Sequence, residues 1–149
     1  MTGISACLLG FCCRYDGKSI YDENIMKLIK NKKDIFYFCP EQMGGLCTPR
    51  IPCEKKNGKI INKNNEDKTQ NFVNGAYETI KAIKLFKANK LILKEKSPSC
   101  GVLNIYNGNF DGKLISGNGI LIDILNFENI KFKILKNESN ISYTTLKIL

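Results

Sequence analysis

Histidine and tryptophan are both absent from this 149-residue chain, and the first absence removes more chemistry than the second. Without an imidazole there is no Ser-His-Asp or Cys-His nucleophilic site, no HExxH zinc protease and no Cys2His2 finger. No CxxC knuckle and no GxGxxG loop occurs either, which weakens a structural zinc site and a dinucleotide fold. No apolar run approaches the roughly 18 residues of a membrane span, and Met1 is followed by no basic leader, so a cytoplasmic location is expected. Arginine is scarce: of 23 basic residues only Arg14 and Arg50 are not lysine. A chain that writes nearly every cation as Lys keeps Arg where a planar fork of donors is needed.

What is present is ordinary in bulk and unusual in detail. Hydrophobic residues make up 43% and charged residues 25%, a globular composition. A chain of this size buries roughly 68–70% of its unfolded surface and fits a single domain, here 1–149. The net charge of +9 invites a nucleic-acid reading, but Lys, Asn and Ile are abundant throughout, so the charge reflects composition as much as a basic face. Seven cysteines, an odd number, do not make a disulfide framework in a reducing compartment; metal binding, catalysis or burial must account for them.

The hydrophobic pattern alternates strand and helix. Ile4 to Leu8 reads as a strand, Asp22 to Asn31 as a helix capped by Asp22, Ile35 to Cys39 as a strand stopped by Pro40. A long loop follows through Gly44, Gly45 and Gly58, in which Glu54 to Lys68 reads as a polar tract. Asp67 or Thr69 caps a helix running to about Ala88 with Phe72, Ala76, Ile80 and Ile83 on its buried face. Lys90 to Lys94 is a third strand, Asn104 to Gly112 a small hairpin, Ile120 to Phe127 a helix and Ile130 to Leu135 a fourth strand. The tail from Ser139 is unassigned and could add an edge strand. This order predicts an α/β domain with a Rossmann-like, mostly parallel sheet and helices on both faces.

That topology gives three cysteines a shared address. Cys7, Cys39 and Cys100 follow the first three strands, and the carboxyl ends of parallel strands gather on the edge where ligands bind. Three converging thiols suit an iron-sulfur cluster with one open iron better than tetrahedral zinc. Burial alone is the competing account of each thiol. Cys13 is the strongest contender to displace one of the three, whereas Cys12, Cys47 and Cys53 are read as unligated. Gly44, Gly45, Gly101 and Gly117-Asn118-Gly119 fall in loops on the same edge, where a missing Cβ permits close approach; the last could also bind an anion at a helix start.

Several separated motifs then carry a family resemblance. SACLLG at Ser5 to Gly10, CRYDG at Cys13 to Gly17, CPEQMGGLCTPR at Cys39 to Arg50 and KEKSPSCG at Lys94 to Gly101 are similar to the bacterial thiouracil desulfidase family. TQNFVNGA at Thr69 to Ala76, IYNGNFDGK at Ile105 to Lys113 and GNGI at Gly117 to Ile120 extend the likeness. Cys47 departs from the small residue or proline expected there, and Asn57 to Asn65 is degenerate.

The resemblance implies an oxygen-sensitive enzyme with a 4Fe-4S cluster held by Cys7, Cys39 and Cys100, the fourth iron taking the sulfur of a thiolated pyrimidine. It implies non-redox, hydrolytic desulfuration, in which water replaces sulfur on the ring carbon and sulfide leaves. On that scheme Glu41 activates water or shuttles its proton, given a dry site that favours its protonated form. Ser97 or Ser99 binds substrate or relays a proton. Arg14 with Asp16 forms a bracing ion pair, and Arg50 braces likewise or binds a phosphate. The substrate is a small thiolated pyrimidine, with a thiolated nucleotide or RNA base as the larger form. A structural zinc or redox-sensing protein and a basic RNA-binding module are the readings from other classes.

Overall fold

A computed structural model describes residues 1–135; the tail from Ser139 and the end of the expected 1–149 domain lie outside them. The elements are β1 (Thr2–Ser5), α1 (Glu23–Ile29), β2 (Ile35–Phe38), α2 (Pro40–Met43), β3 (Cys53–Lys56), β4 (Lys59–Asn62), α3 (Thr69–Leu85), β5 (Lys90–Ile92), β6 (Asn104–Tyr106), β7 (Leu114–Ser116), α4 (Ile120–Phe127) and β8 (Lys133–Ile134). The main sheet has the order β2-β1-β5-β8 with every neighbouring pair parallel. The α/β architecture expected from alternation is therefore the one observed. None of the helices among the described residues is long and apolar enough to cross a membrane.

Side chains of successive strand residues point to opposite faces, and the two cores divide accordingly. Leu91 and Leu93 pack with α3 and α4 through Phe72, Ala76, Ile80, Ile83, Leu121 and Leu125. Ile92 turns the other way and packs with Ile4, Ile25 and Ile29 under α1. Each large aliphatic or aromatic side chain so buried contributes roughly 1.5–3 kcal/mol. Asp22 starts α1 as expected, its Oδ1 accepting from the backbone N–H of Asn24 at 2.9 Å and Ile25 at 3.2 Å.

Two sequence expectations are corrected. The first strand ends at Ser5, not Leu8, because Ala6–Leu9 tightens into a 3-10 turn closed by Gly10 at φ 95. A left-handed residue there is cheap only for glycine. The tract read as a polar loop contains the antiparallel pair β3-β4. Asn57 (φ 50) and Gly58 (φ 77) form its two-residue turn, an Asn-Gly hairpin signal hidden among lysines.

The sheet order places the site. The chain leaves β1 for β2 on one side and returns to β5 on the other, so a crevice opens at the carboxyl end of β1. α2 reaches this crevice by crossing α3 almost backbone to backbone. A Cβ on Gly75 would lie 1.8 Å from the Pro40 carbonyl oxygen, and one on Gly44 would lie 2.0 Å from the Asn71 oxygen. Asn71 Nδ2 donates to the Gly44 oxygen at 2.9 Å and locks the crossing. We expect Gly75→Ala to cost about 3 kcal/mol or to abolish folding, because neither backbone can yield without displacing Cys39. The urea unfolding midpoint measures it, and a midpoint within error of the parent would refute the crossing.

Candidate functional site

The crevice is a cavity of about 430 Å³ whose walls include Cys7, Cys39 and Cys100. Cys7 sits in the 3-10 turn after β1, where its carbonyl accepts from Ile20 N–H at 2.9 Å. Cys39 is the residue before α2, with Pro40 at the first helical position. Cys100 lies in a turn closed by Gly101 N–H donating to the Ser97 carbonyl at 2.8 Å.

The start of α4 fastens that turn. Ile120 N–H donates to the Pro98 oxygen at 3.0 Å and Leu121 N–H to the Ser99 oxygen at 2.9 Å. These are N–H groups that a helix start would otherwise offer an anion. The anion reading of Gly117-Asn118-Gly119 therefore fails; a Cβ on Gly119 would meet the Ser99 carbonyl carbon at 2.5 Å. From the sheet side, Ser5 Oγ accepts from Lys94 N–H at 3.1 Å and lies 3.4 Å from Cys100 Sγ.

Cys13 joins the group. It is buried at the same crevice, and its carbonyl accepts from Cys39 Sγ at 3.8 Å. The neighbouring Cys39 thiol favours the Cys13 thiolate, but the Cys7 thiol and burial outweigh it and push Cys13 up to about 11. The bond with Cys13 and burial drive the Cys39 thiol well above its usual range. Burial does the same to Cys100, and burial followed by the Glu41 charge raises Cys53 to about 11. Thiols must lose these protons to act as ligands, so metal loading releases protons. Among the described residues no three His, Cys, Asp or Glu side chains are close enough to hold a single metal ion. The sulfur donors surround a cavity instead of one point.

Beside the thiols runs a polar chain. Arg50 Nε donates to Glu41 Oε2 at 2.7 Å and its Nη2 lies 2.6 Å from the same oxygen, both side chains being largely buried at 7% and 14% exposure. Nη2 also donates to the Cys13 carbonyl at 3.0 Å; Nη1 donates to the Cys47 carbonyl and Thr48 Oγ1, each at 3.1 Å. Four hydrogen bonds and an ion pair thus engage the guanidinium inside the protein, which disfavours the phosphate considered from sequence. The other carboxyl oxygen, Glu41 Oε1, accepts from Ser99 Oγ at 3.0 Å. Ser97 Oγ stands 2.8 Å from Ser99 Oγ. Since Ser99 donates to Glu41, Ser97 donates to Ser99, and the three form one directed chain.

Arg14 pairs with Asp16 at 3.5 Å and covers the Tyr15 ring at 5.6 Å, the bracing role expected of it. Cys12 and Cys47 are exposed. Cys53, read as unligated, lines the cavity, as do Lys63, Lys96, Tyr106 and Phe110, which sequence reasoning passed over. Only the Asn-Gly turn could have flagged the β3-β4 hairpin that brings Lys63 near.

Two outcomes follow. Arg50→Lys keeps the charge but not the fork, and should cost about 2 kcal/mol in chemical unfolding; an unchanged midpoint would mean the network bears no load. In metal-free protein at neutral pH, iodoacetamide should modify Cys12 and Cys47 well before Cys13 or Cys100, read by peptide mass spectrometry. Early labelling of Cys100 would contradict its burial.

Comparison with known proteins agrees with this architecture. A solved structure of a 4Fe-4S-dependent thiouracil desulfidase, TudS, superposes with a TM-score of 0.82 at 35% identity, covering 89% of each chain. An uncharacterised protein, YbbK of Bacillus subtilis (strain 168), is 42% identical over 82% of this chain and 87% of its own length. The model of the 2-thiouracil desulfurase family matches residues 2–137, and the chain belongs to that family.

Proposed function

We propose that the protein removes sulfur from thiolated pyrimidines, converting thiouracil to uracil and sulfide without net redox change. The observation that carries this reading is that Cys7, Cys39 and Cys100, which follow three adjacent strands, line one cavity together with Glu41 and Ser99. The donor set fits a 4Fe-4S cluster: it is all thiol, and its members line a cavity instead of meeting at a point. Cys7, Cys39 and Cys100 would hold the cluster. When bound it supplies a Lewis-acidic iron, free of protein ligand, for the thiocarbonyl sulfur.

The chain's own residues supply the rest. Glu41 is held by Arg50 on one oxygen, leaving the other to exchange a proton with Ser99. The carboxyl activates water for attack on the ring carbon, and Ser99, backed by Ser97, hands a proton between carboxyl and substrate. The site needs no histidine because a hydroxyl-carboxyl chain spans the distance.

Lys63 and Lys96 on the cavity wall favour a phosphate-bearing thiolated nucleotide, or a thiolated base within RNA, as the fuller substrate. Thiouridine monophosphate turned over no better than thiouracil would remove that extension. Structural zinc is disfavoured by the spread of the thiols.

The deciding experiment is anaerobic reconstitution with iron and sulfide, a visible spectrum, and chromatography of uracil formed from 2-thiouracil and 4-thiouracil. About four irons per chain with uracil produced is the expected result. We expect Cys7→Ser, Cys39→Ser and Cys100→Ser each to lose the cluster and Cys53→Ser to keep it; full occupancy in Cys100→Ser would break the ligand assignment. Glu41→Gln should keep the cluster and lose about 10²-fold or more in kcat, the usual worth of a general base.

A further inference from the structure

The cavity has an aromatic side whose position depends on a carboxyl group outside the polar chain. Glu54 on β3 is only 9% exposed, and its Oε2 accepts from the backbone N–H of Gly108 at 2.9 Å and of Phe110 at 3.0 Å. Both donors belong to the turn between β6 and β7, so one hairpin grips the tip of another. Burying a carboxyl is costly unless its oxygens are used, and here one oxygen takes two amides of a single turn.

That grip fixes a conformation the local sequence would not choose. Phe110 has φ 56, in the left-handed region that a bulky side chain seldom adopts. Gly108, at φ 86, lets the turn lie flush on β3: a Cβ there would come within 2.5 Å of the Lys56 Cβ. Lys56 Nζ donates to Asn109 Oδ1 at 2.8 Å, and Asn107 Oδ1 accepts from Asn109 N–H at 2.9 Å. The turn is thereby rigid before any ligand arrives. Phe110, with Tyr106, lines the cavity that holds Cys39, Glu41 and Ser99. A flat heteroaromatic ring is held sideways by stacking on an aromatic face, and no other residue type gives that area with so little freedom to lose.

We propose that Phe110 is the stacking wall for the substrate's pyrimidine ring, and that Glu54 is its positioning residue, holding the 107–112 turn against the cavity. This rests on the desulfidase reading, and its test separates the two. In cluster-loaded protein assayed with 2-thiouracil, Phe110→Ala should raise KM about tenfold, within what one base stack provides. Over the same range kcat should change by less than about threefold, the signature of lost ring binding with the reacting groups intact. Phe110→Tyr should hold KM near the parent value. Glu54→Ala should raise KM by a similar factor and speed amide exchange at Gly108 and Phe110, whereas Glu54→Gln, which keeps an acceptor oxygen, should restore most of both.

A Phe110→Ala enzyme with parental KM overturns the wall while leaving the desulfidase reading intact. Glu54→Ala with unchanged exchange at Gly108 and Phe110 overturns the positioning role; if that variant does not fold, exchange in Glu54→Gln, expected between parental and fully open, decides. If the parent protein forms no uracil, the desulfidase reading falls, and equilibrium dialysis of 2-thiouracil judges the wall alone. Binding weakened about tenfold in Phe110→Ala supports it, and equal binding, or none by the parent, overturns it.

Discussion

One guanidinium sets the geometry of the cavity. Arg50 donates four side-chain hydrogen bonds, to Glu41, the Cys13 and Cys47 carbonyls and Thr48, and its own backbone N–H donates to the Tyr15 carbonyl at 2.8 Å. It therefore ties the loop carrying Cys13 to the helix that carries Glu41 and directly follows Cys39. A carboxyl and a guanidinium removed from water stabilise the site only as a pair; either alone would be an uncompensated buried charge. Because Arg50 takes one carboxyl oxygen, the other is left for Ser99, so the same pair that braces the loops also orients the polar chain.

The second constraint is backbone proximity. Gly44 and Gly75 let α2 lie against α3, and Gly119 lets the start of α4 lie against the turn of Cys100. In each case a thiol-bearing segment is held by backbone contact or backbone hydrogen bonds to a long helix of the main core. Side-chain packing alone would leave such short turns freer to shift than backbone contact does. The glycines that the sequence places on the active edge are there less for a ligand than for this approach.

How much of this was legible follows from which signals are local. The parallel sheet was readable because its strands are short apolar runs separated by periodic helices, and Asp22 capped where its residue type says it should. The address of Cys39 and Cys100 was readable from the same runs. Cys7 was placed at the right edge for a slightly wrong reason: it lies beyond the strand, in a turn whose length only the Gly10 conformation fixes. The worth of Arg50 was hinted at by the scarcity of arginine, but its four side-chain partners lie between 2 and 37 residues away and nothing in the chain pairs them. Glu54 was lost in a run of lysines and asparagines, since its partners lie 54 and 56 residues further on.

The two cores also bear on what a cluster does for this protein. A small domain that needs metal to fold has its ligands in place of a core. Here the larger core is built from Phe72, Ile80, Ile83, Leu91, Leu121 and Leu125, and of the three proposed ligands only Cys100 is buried within it. Cys7 and Cys13 lie in the smaller core under α1, with Cys39 packed against it. The thiols therefore border a fold held together by its own apolar packing. The free energy of binding a cluster at this edge would therefore act on the site, the sheet being held together already by that packing. The fold can then keep a reactive, exchangeable centre at its edge without making its own stability depend on it.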